Sequence, residues 1–220
     1  MNQQKMVITD WGGVIEQHSE EAYFSYSVLY HVLKQFGGDD IPKNYHEIIN
    51  EALQANDKHP DDIARTTNIK PYLDKMFELF KIETYPEIYI DFLDTYTQIT
   101  SDVPYDRELA RYLAGLKGKC KLGILSNLTV FDGARQNRQM DWENYDYRWL
   151  SYETGLIKPD PQVYRMVESQ SGLQGRQILF IEDVDVNLHV PREQFGWNTY
   201  VAKYKNTKAT IEAIEKFLQE

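Results

Sequence analysis

Short apolar runs alternate with amphipathic segments along the second half of the chain, and one further apolar run stands near its start. The run near the start is rich in β-branched residues, and the apolar runs together predict buried strands. The predicted strands are Met6–Thr9, Cys120–Leu125, Tyr147–Tyr152, Gln177–Ile181 and Thr199–Ala202. Strands that are hydrophobic throughout and alternate with helices are typical of a parallel sheet covered on both faces. The pattern therefore predicts an α/β protein.

The segments between these strands carry apolar residues every three or four positions, which predicts helices. In the second half they comprise a face of Leu109, Leu113 and Leu116, a stretch reaching about Met140, Pro161–Ser169, Asn187–Phe195, and a terminal helix with Ile211, Ile214 and Leu218. Residues 19–100 are helical in pattern and poor in strands. We predict a Rossmann-like parallel sheet core at residues 1–18 and 101–220, with an inserted helical cap at residues 19–100.

Composition narrows the class of protein. The chain has 220 residues and is 42% hydrophobic, so it can bury a full core. Its formal charge of −10 repels polyanions, so we expect no nucleic-acid partner. The single cysteine, Cys120, excludes an intramolecular disulfide, and no apolar window approaches the length of a membrane span. We expect a cytoplasmic protein without a membrane partner, either a monomer or a homodimer.

Polar side chains follow the predicted strands at the point where each ends. Asp10 follows the first strand, Ser126 and Asn127 the second, and Glu182 with Asp183 the fourth, while Lys158 lies in the loop after the third. The carboxyl ends of parallel strands meet at one edge of a sheet, where ligands bind. We therefore expect these groups to converge.

This set of residues suits phosphoryl transfer. Asp10 can act as a nucleophile that forms an aspartyl-phosphate, and Asp10 with Asp183 can hold Mg²⁺ through oxygen ligands. Ser126 can donate a hydrogen bond to a phosphoryl oxygen, and Lys158 can offset the charge of the transition state. Each residue alone also fits an ordinary turn or helix cap. Their order at successive strand ends favours a site.

Four stretches resemble the motifs of the haloacid dehalogenase (HAD)-like hydrolase superfamily, over the whole length of the chain. They are Ile8–Val14, Ile124–Asn127, Lys158 within Ser151–Pro161, and Phe180–Asp183 with Asn187. The position of the insertion resembles that of the subfamily whose helical cap carries specificity, as in phosphoglycolate phosphatase and the dehalogenases. The resemblance implies an α/β core with this cap, an aspartate nucleophile and a small-molecule substrate.

Gly12 departs from the pattern of most phosphatases of the superfamily, which carry a second aspartate there as general acid and base. Loss of such a group can cost ~10²–10⁴-fold in rate. A branch resembling bacterial sugar-phosphate phosphatases, including α-glucose-1-phosphate phosphatases, also has glycine at this position. The family contact to Mg²⁺ uses the backbone carbonyl, which Gly12 retains.

We therefore expect a Mg²⁺-dependent hydrolase of small phosphomonoesters, such as sugar phosphates, that acts through an aspartyl-phosphate. The expected catalytic residues are Asp10 and Lys158; the phosphate-binding residues are Ser126, Asn127 and Lys158; the metal ligands are Asp10, Gly12 and Asp183. The alternatives are a dehalogenase-like hydrolase, or a catalytically weak phosphate-binding or regulatory protein. The sequence leaves open the substrate and the roles of Glu182 and Asp185.

Overall fold

A computed structural model of the protein describes residues 4–16, 24–37, 41–42, 44–53, 60–100, 104–139 and 141–220. Its strands are β1 (Met6–Thr9), β2 (Lys121–Ser126), β3 (Tyr147–Leu150), β4 (Ile178–Glu182) and β5 (Asn198–Val201). They form one parallel sheet in the order β3-β2-β1-β4-β5. The predicted α/β class is confirmed.

The α-helices lie between the strands and in the insertion after β1. They are α1 (Phe24–Gly37), α2 (Tyr45–Leu53), α3 (Lys70–Leu79), α4 (Ile88–Ile99), α5 (Arg107–Ala114), α6 (Val130–Gln139), α7 (Ser151–Thr154), α8 (Pro161–Ser171), α9 (Val186–Gln194) and α10 (Thr207–Gln219). Short 3₁₀ helices occur at Pro60–Arg65, Trp142–Asn144 and Gly175–Gln177. No described helix has both the length and the apolar character needed to cross a membrane.

The central strand β1 explains where the site forms. Val7 pairs with Leu122 of β2 on one side and Leu179 of β4 on the other, and all four residues of β1 are buried. The strand order reverses at β1, because β2 and β3 lie to one side and β4 and β5 to the other. In open α/β sheets such a switch point creates the crevice that receives a ligand.

The third strand is shorter than the sequence predicts. The apolar pattern extends it to Tyr152, but β3 ends at Leu150 and Ser151 begins the single-turn helix α7. Gly155 ends this helix with a left-handed backbone (φ 72°). The change of direction starts the loop that carries Lys158.

The chain divides into two compact units. The core unit comprises Met1–Ser19, Val103–Asn127 and Asp141–Glu220, and the helical unit comprises Glu20–Asp102 and Leu128–Met140. The predicted core included residues 128–140, whereas contacts group them with the insertion. The predicted junction between residues 18 and 19 lies outside the described residues.

Aromatic contacts explain why α6 groups with the helical unit. The Phe131 ring lies 5.3 Å from the Tyr96 ring and 6.1 Å from the Phe92 ring, and the Tyr96 hydroxyl donates to Asp132 Oδ1 at 3.1 Å. Phe131 thereby joins the buried cluster formed by α1 to α4. These partners are far apart in sequence, so no local pattern reports them.

Candidate active site

A tight turn after β1 fixes Asp10 at the carboxyl edge of the sheet. The Asp10 backbone N–H donates to Ile181 O at 2.8 Å, and the Trp11 N–H donates to Asp10 Oδ1 at 2.7 Å. The backbone N–H groups of Ile15 and Glu16 both donate to Trp11 O. The buried Trp11 indole donates to Glu16 Oε2 at 2.8 Å. The nucleophile candidate is therefore held by a rigid turn.

Gly13 lets the Asp183 carboxylate lie against this turn. Gly13 has a left-handed backbone (φ 70°), and a Cβ there would stand 2.0 Å from Asp183 Oδ2. Only glycine leaves this space free while adopting the conformation without strain. Carboxylate oxygens of Asp10, Glu182 and Asp183 consequently lie within 4.8 Å of one another.

Lys158 stands between two carboxylates at this edge. Its Nζ lies 3.1 Å from Asp10 Oδ2 and 2.5 Å from Glu182 Oε2. The lysine is 3% exposed and Glu182 is fully buried. A buried charge is tolerated only when it is paired, so Lys158 and the two carboxylates depend on one another. Glu182, whose role the sequence left open, is a partner of Lys158.

Asn127 holds the loop that delivers Lys158. Its side-chain Oδ1 accepts from the Lys158 backbone N–H at 2.8 Å, and its Nδ2 donates to Lys158 O at 2.9 Å. Asn127 is predicted to bind phosphate, and its side chain is engaged by the backbone of Lys158. The neighbouring Ser126 is buried and hydrogen-bonds to Asp10.

The electrostatics of the cluster leave negative charge uncompensated. Burial, reinforced by Glu182, raises the pKa of Asp10 to about 7, although Lys158 and Ser126 act in the opposite direction. Burial also raises the pKa of Glu182 and, together with Asp10, the pKa of Asp183. One lysine therefore faces three carboxyl groups. A hard divalent cation with oxygen ligands fits this donor set.

The effect of Mg²⁺ on stability should depend on pH. The pKa of Asp10 is raised from its usual value, near 4, to about 7 in the folded protein. Such a carboxyl lowers the free energy of unfolding as the pH rises from about 4 to about 7. Binding of a cation requires the ionised form. We expect Mg²⁺ to raise the melting temperature more at pH 8 than at pH 5, with potassium chloride of equal ionic strength as control. Equal shifts at both pH values would contradict this assignment.

Replacement of Gly13 by alanine should displace Asp183 and weaken the metal site. We expect Gly13→Ala to raise the Mg²⁺ concentration for half-maximal thermal stabilisation at least ~10-fold, as Asp183→Ala should, since such sites rely on few carboxylates. Gly172→Ala is the matched control, because Gly172 has the same φ of 70° but no atom within 4 Å of its Cβ position. An unchanged titration in Gly13→Ala would place the metal elsewhere.

The remaining predicted residues fall near the site or outside it. Gly12 lies in the turn between Asp10 and Gly13, and its backbone is outside the left-handed region, so a side chain is sterically allowed by its φ. Asp185 is exposed and pairs with His189 and Arg192 at 3.0 and 3.4 Å. It is not part of the carboxylate cluster.

Tyr164, which the sequence analysis did not single out, supports the site. Its hydroxyl donates to Asn187 O at 2.7 Å, at the start of α9 and four residues after Asp183. Burial, with the charges of Glu182 and Asp10 nearby, raises the pKa of Tyr164. The tyrosine thus stays a neutral donor that fixes the loop after β4.

No family model matches the chain. The Drosophila melanogaster protein named rhythmically expressed gene 2 protein is 29% identical over 92 residues, which are 40% of this chain and only 35% of that protein. The chain therefore matches about a third of the length of this curated relative.

Solved structures resemble the chain over nearly its full length. A predicted HAD-like family hydrolase from Porphyromonas gingivalis has a TM-score of 0.66 at 20% identity, covering 99% of this chain and 98% of that one. A HAD family enzyme from Bacteroides thetaiotaomicron, in complex with magnesium and inorganic phosphate, has 0.67 at 19%, covering 93% and 96%. A 2-haloacid dehalogenase from Pseudomonas syringae has 0.64 at 14%, covering 98% and 100%. At these identities the likeness concerns the fold.

Proposed function

With the fold of the HAD-like hydrolases as the premise, we propose that this chain is a Mg²⁺-dependent hydrolase of small phosphomonoesters with Asp10 as nucleophile. The observation that carries the proposal is the placement of Asp10 in contact with Lys158 and within 4.8 Å of two further carboxylates. The arrangement couples a nucleophile to a cation and to a set of metal ligands. Phosphoryl transfer needs this combination, because the migrating group is itself negatively charged.

The residues divide between metal and phosphate. Asp10 and Asp183, with the backbone carbonyl of Gly12, would hold Mg²⁺, whereas Glu182 is committed to Lys158 at 2.5 Å. When bound, Mg²⁺ would neutralise charge on the carboxylates and the phosphate. Ser126 and the backbone N–H of Asn127 are proposed to donate to phosphoryl oxygens, because the Asn127 side chain is already engaged.

In the proposed mechanism, the phosphate ester is hydrolysed in two steps. A carboxylate oxygen of Asp10 attacks phosphorus, the bond to the ester oxygen breaks, and the leaving alcohol takes a proton from solvent. Water then attacks the phosphorus of the aspartyl-phosphate, which releases inorganic phosphate and restores the carboxylate. Lys158 offsets the charge that develops on the phosphoryl oxygens in both steps. The helical unit is proposed to select the substrate, a small phosphorylated metabolite.

Two alternative functions are each favoured by one observation. A dehalogenase also resembles the chain in fold, which favours a dehalogenase-like hydrolase. The glycine at position 12 favours a catalytically weak phosphate-binding protein. The carboxylate cluster favours the metal-dependent reaction. Hydrolysis of p-nitrophenyl phosphate by the metal-free protein, measured with and without added Mg²⁺, tests the proposal. Mg²⁺-dependent release of phosphate supports it, whereas chloride release from 2-chloropropionate without metal, or neither reaction, contradicts it.

Gly12 makes the first step depend on the leaving group. No side chain at this position can protonate the departing oxygen, so aryl and anomeric phosphates should turn over ~10²–10⁴-fold faster than alkyl phosphates. Gly12→Asp should improve alkyl phosphates more than aryl ones, because the new carboxyl would protonate a poor leaving group; Gly12 is not among the residues with positive φ. Values of kcat/KM for a series of esters test this, because this ratio reports the first chemical step even where hydrolysis of the aspartyl-phosphate limits kcat. Equal rates across the series in the parent would assign the acid to another residue.

A further inference from the structure

A cavity of about 560 Å³ opens in the core unit at the amino edge of the sheet. Its lining residues precede or begin the strands: Lys5 stands before β1, Arg176 before β4, and Asn198 begins β5. Asp10 lies at the opposite, carboxyl edge. The cavity is therefore separate from the candidate active site and has the size of a small-molecule pocket.

The charges that line the cavity are mainly positive. Lys5, Arg176 and Arg192 contribute three cations, and Glu220 contributes the one acidic side chain among the lining residues. No ion pair joins Glu220 to these cations among the residues described. In a chain of net charge −10, a local excess of positive charge is a departure from the average surface. It favours an anionic ligand.

The three cations differ in how far the protein already uses them. Lys5 Nζ donates to Phe217 O at 2.6 Å and so caps the last turn of α10. Arg192 Nε donates to Thr199 Oγ1 at 2.8 Å, and its Nη2 reaches Asp185 at 3.4 Å. The Arg176 guanidinium has no hydrogen bond, ion pair or ring contact with any residue in the described part of the chain.

The backbone holds Arg176 in place although its guanidinium is uncommitted. Asn198 Nδ2 donates to Arg176 O at 2.9 Å, which ties the residue to the start of β5. Both Nδ2 contacts of Asn198 go to backbone carbonyls, and no donor among the described residues reaches its Oδ1, which can accept from a ligand hydroxyl. Trp197 and Phe217, both largely buried, complete the lining.

We propose that this cavity binds a small phosphate-bearing anion with at least two negative charges, with Arg176 as its principal ligand. Arginine presents several N–H donors in a planar fork that matches phosphate oxygens. Arg192 adds a second cation, and Lys5 adds positive charge from its position at the end of α10. The ligand is independent of the substrate hydrolysed at Asp10.

Calorimetric titration with inorganic pyrophosphate tests the proposal. The protein is stripped of metal, so that the carboxylates around Asp10 repel the probe. We expect one site in the parent, and an affinity at least ~10-fold weaker in Arg176→Gln, because a charge-assisted contact is lost. Lys117→Gln, which removes one exposed positive charge near the amino end of β2, is the matched control and should bind like the parent.

The outcomes separate this proposal from the proposed function. Arg176→Gln should keep the parental melting temperature and the parental rate on p-nitrophenyl phosphate, because the guanidinium has no contact within the described chain. Selective loss of pyrophosphate binding in this variant supports the site even if the protein hydrolyses no ester. Absence of binding up to about 10 mM, or equal affinity in parent and Arg176→Gln, would overturn it.

Discussion

Asp10→Asn is expected to lower kcat on p-nitrophenyl phosphate by at least ~10⁴-fold, because removal of a covalent nucleophile leaves only binding and electrostatic effects. Asparagine keeps the volume of the side chain and can still accept from the Trp11 N–H. The substitution removes a buried carboxylate whose pKa is raised to about 7, so we expect no loss of thermal stability. Steady-state rates and thermal unfolding measure both expectations.

Asp185→Asn is the matched control for this variant. It removes the same charge from an exposed residue two positions after Asp183, and it should keep the parental rate. The comparison separates a requirement for the nucleophile from a general effect of lost negative charge. A parental rate in Asp10→Asn, or an equal loss in Asp185→Asn, would contradict the covalent mechanism.

Lys158→Met is expected to cost about 3–5 kcal/mol of unfolding free energy in the metal-free protein, because one partner of a buried charge cluster is removed. Among the residues that the structure describes, Glu182 then keeps one donor, the Val184 N–H. Asp10 faces Glu182 without the intervening cation. Turnover should also fall below detection, since the phosphoryl charge loses its counterion. Urea unfolding at constant pH measures the stability.

The loss in Lys158→Met should be larger at pH 8 than at pH 5. Carboxyls with raised folded-state pKa values take up protons in the folded state as pH falls, so their repulsion costs less stability at low pH. Lys158→Met/Glu182→Leu removes both charges and should cost less than the sum of the single variants. Additive costs, or a loss independent of pH, would show that Lys158 does not compensate these carboxylates.

The sequence predicts the centre of the sheet well because β1 and β4 are almost uniformly apolar and fully buried. The apolar run that ends at Ile181 predicts a strand covered on both faces, and the carboxylates that follow it then lie at the edge of the sheet. The same logic places Asp10 and Ser126. In the structure Lys158 Nζ and carboxylates from β1 and β4 do converge, which the order of the motifs had predicted.

The partners within the site could not be predicted from the same pattern. Lys158 pairs with Glu182, and Asn127 makes two hydrogen bonds to the Lys158 backbone. These contacts depend on the conformation of loops, which the periodicity of the sequence does not encode. The need for glycine at position 13 arises from the approach of Asp183, which lies 170 residues later in the sequence. Local signals thus locate the residues, whereas tertiary contacts assign their roles.

Peptide mapping of the acid-quenched protein after brief reaction with a ³²P-labelled aryl phosphate and Mg²⁺ tests the central claim most directly. Because Gly12 supplies no base to activate water, the aspartyl-phosphate should be hydrolysed slowly enough to accumulate with a good leaving group. The account predicts hydroxylamine-sensitive label on the peptide that contains Asp10, and none in Asp10→Asn. Turnover without label on that peptide, or with label on another residue, would contradict it.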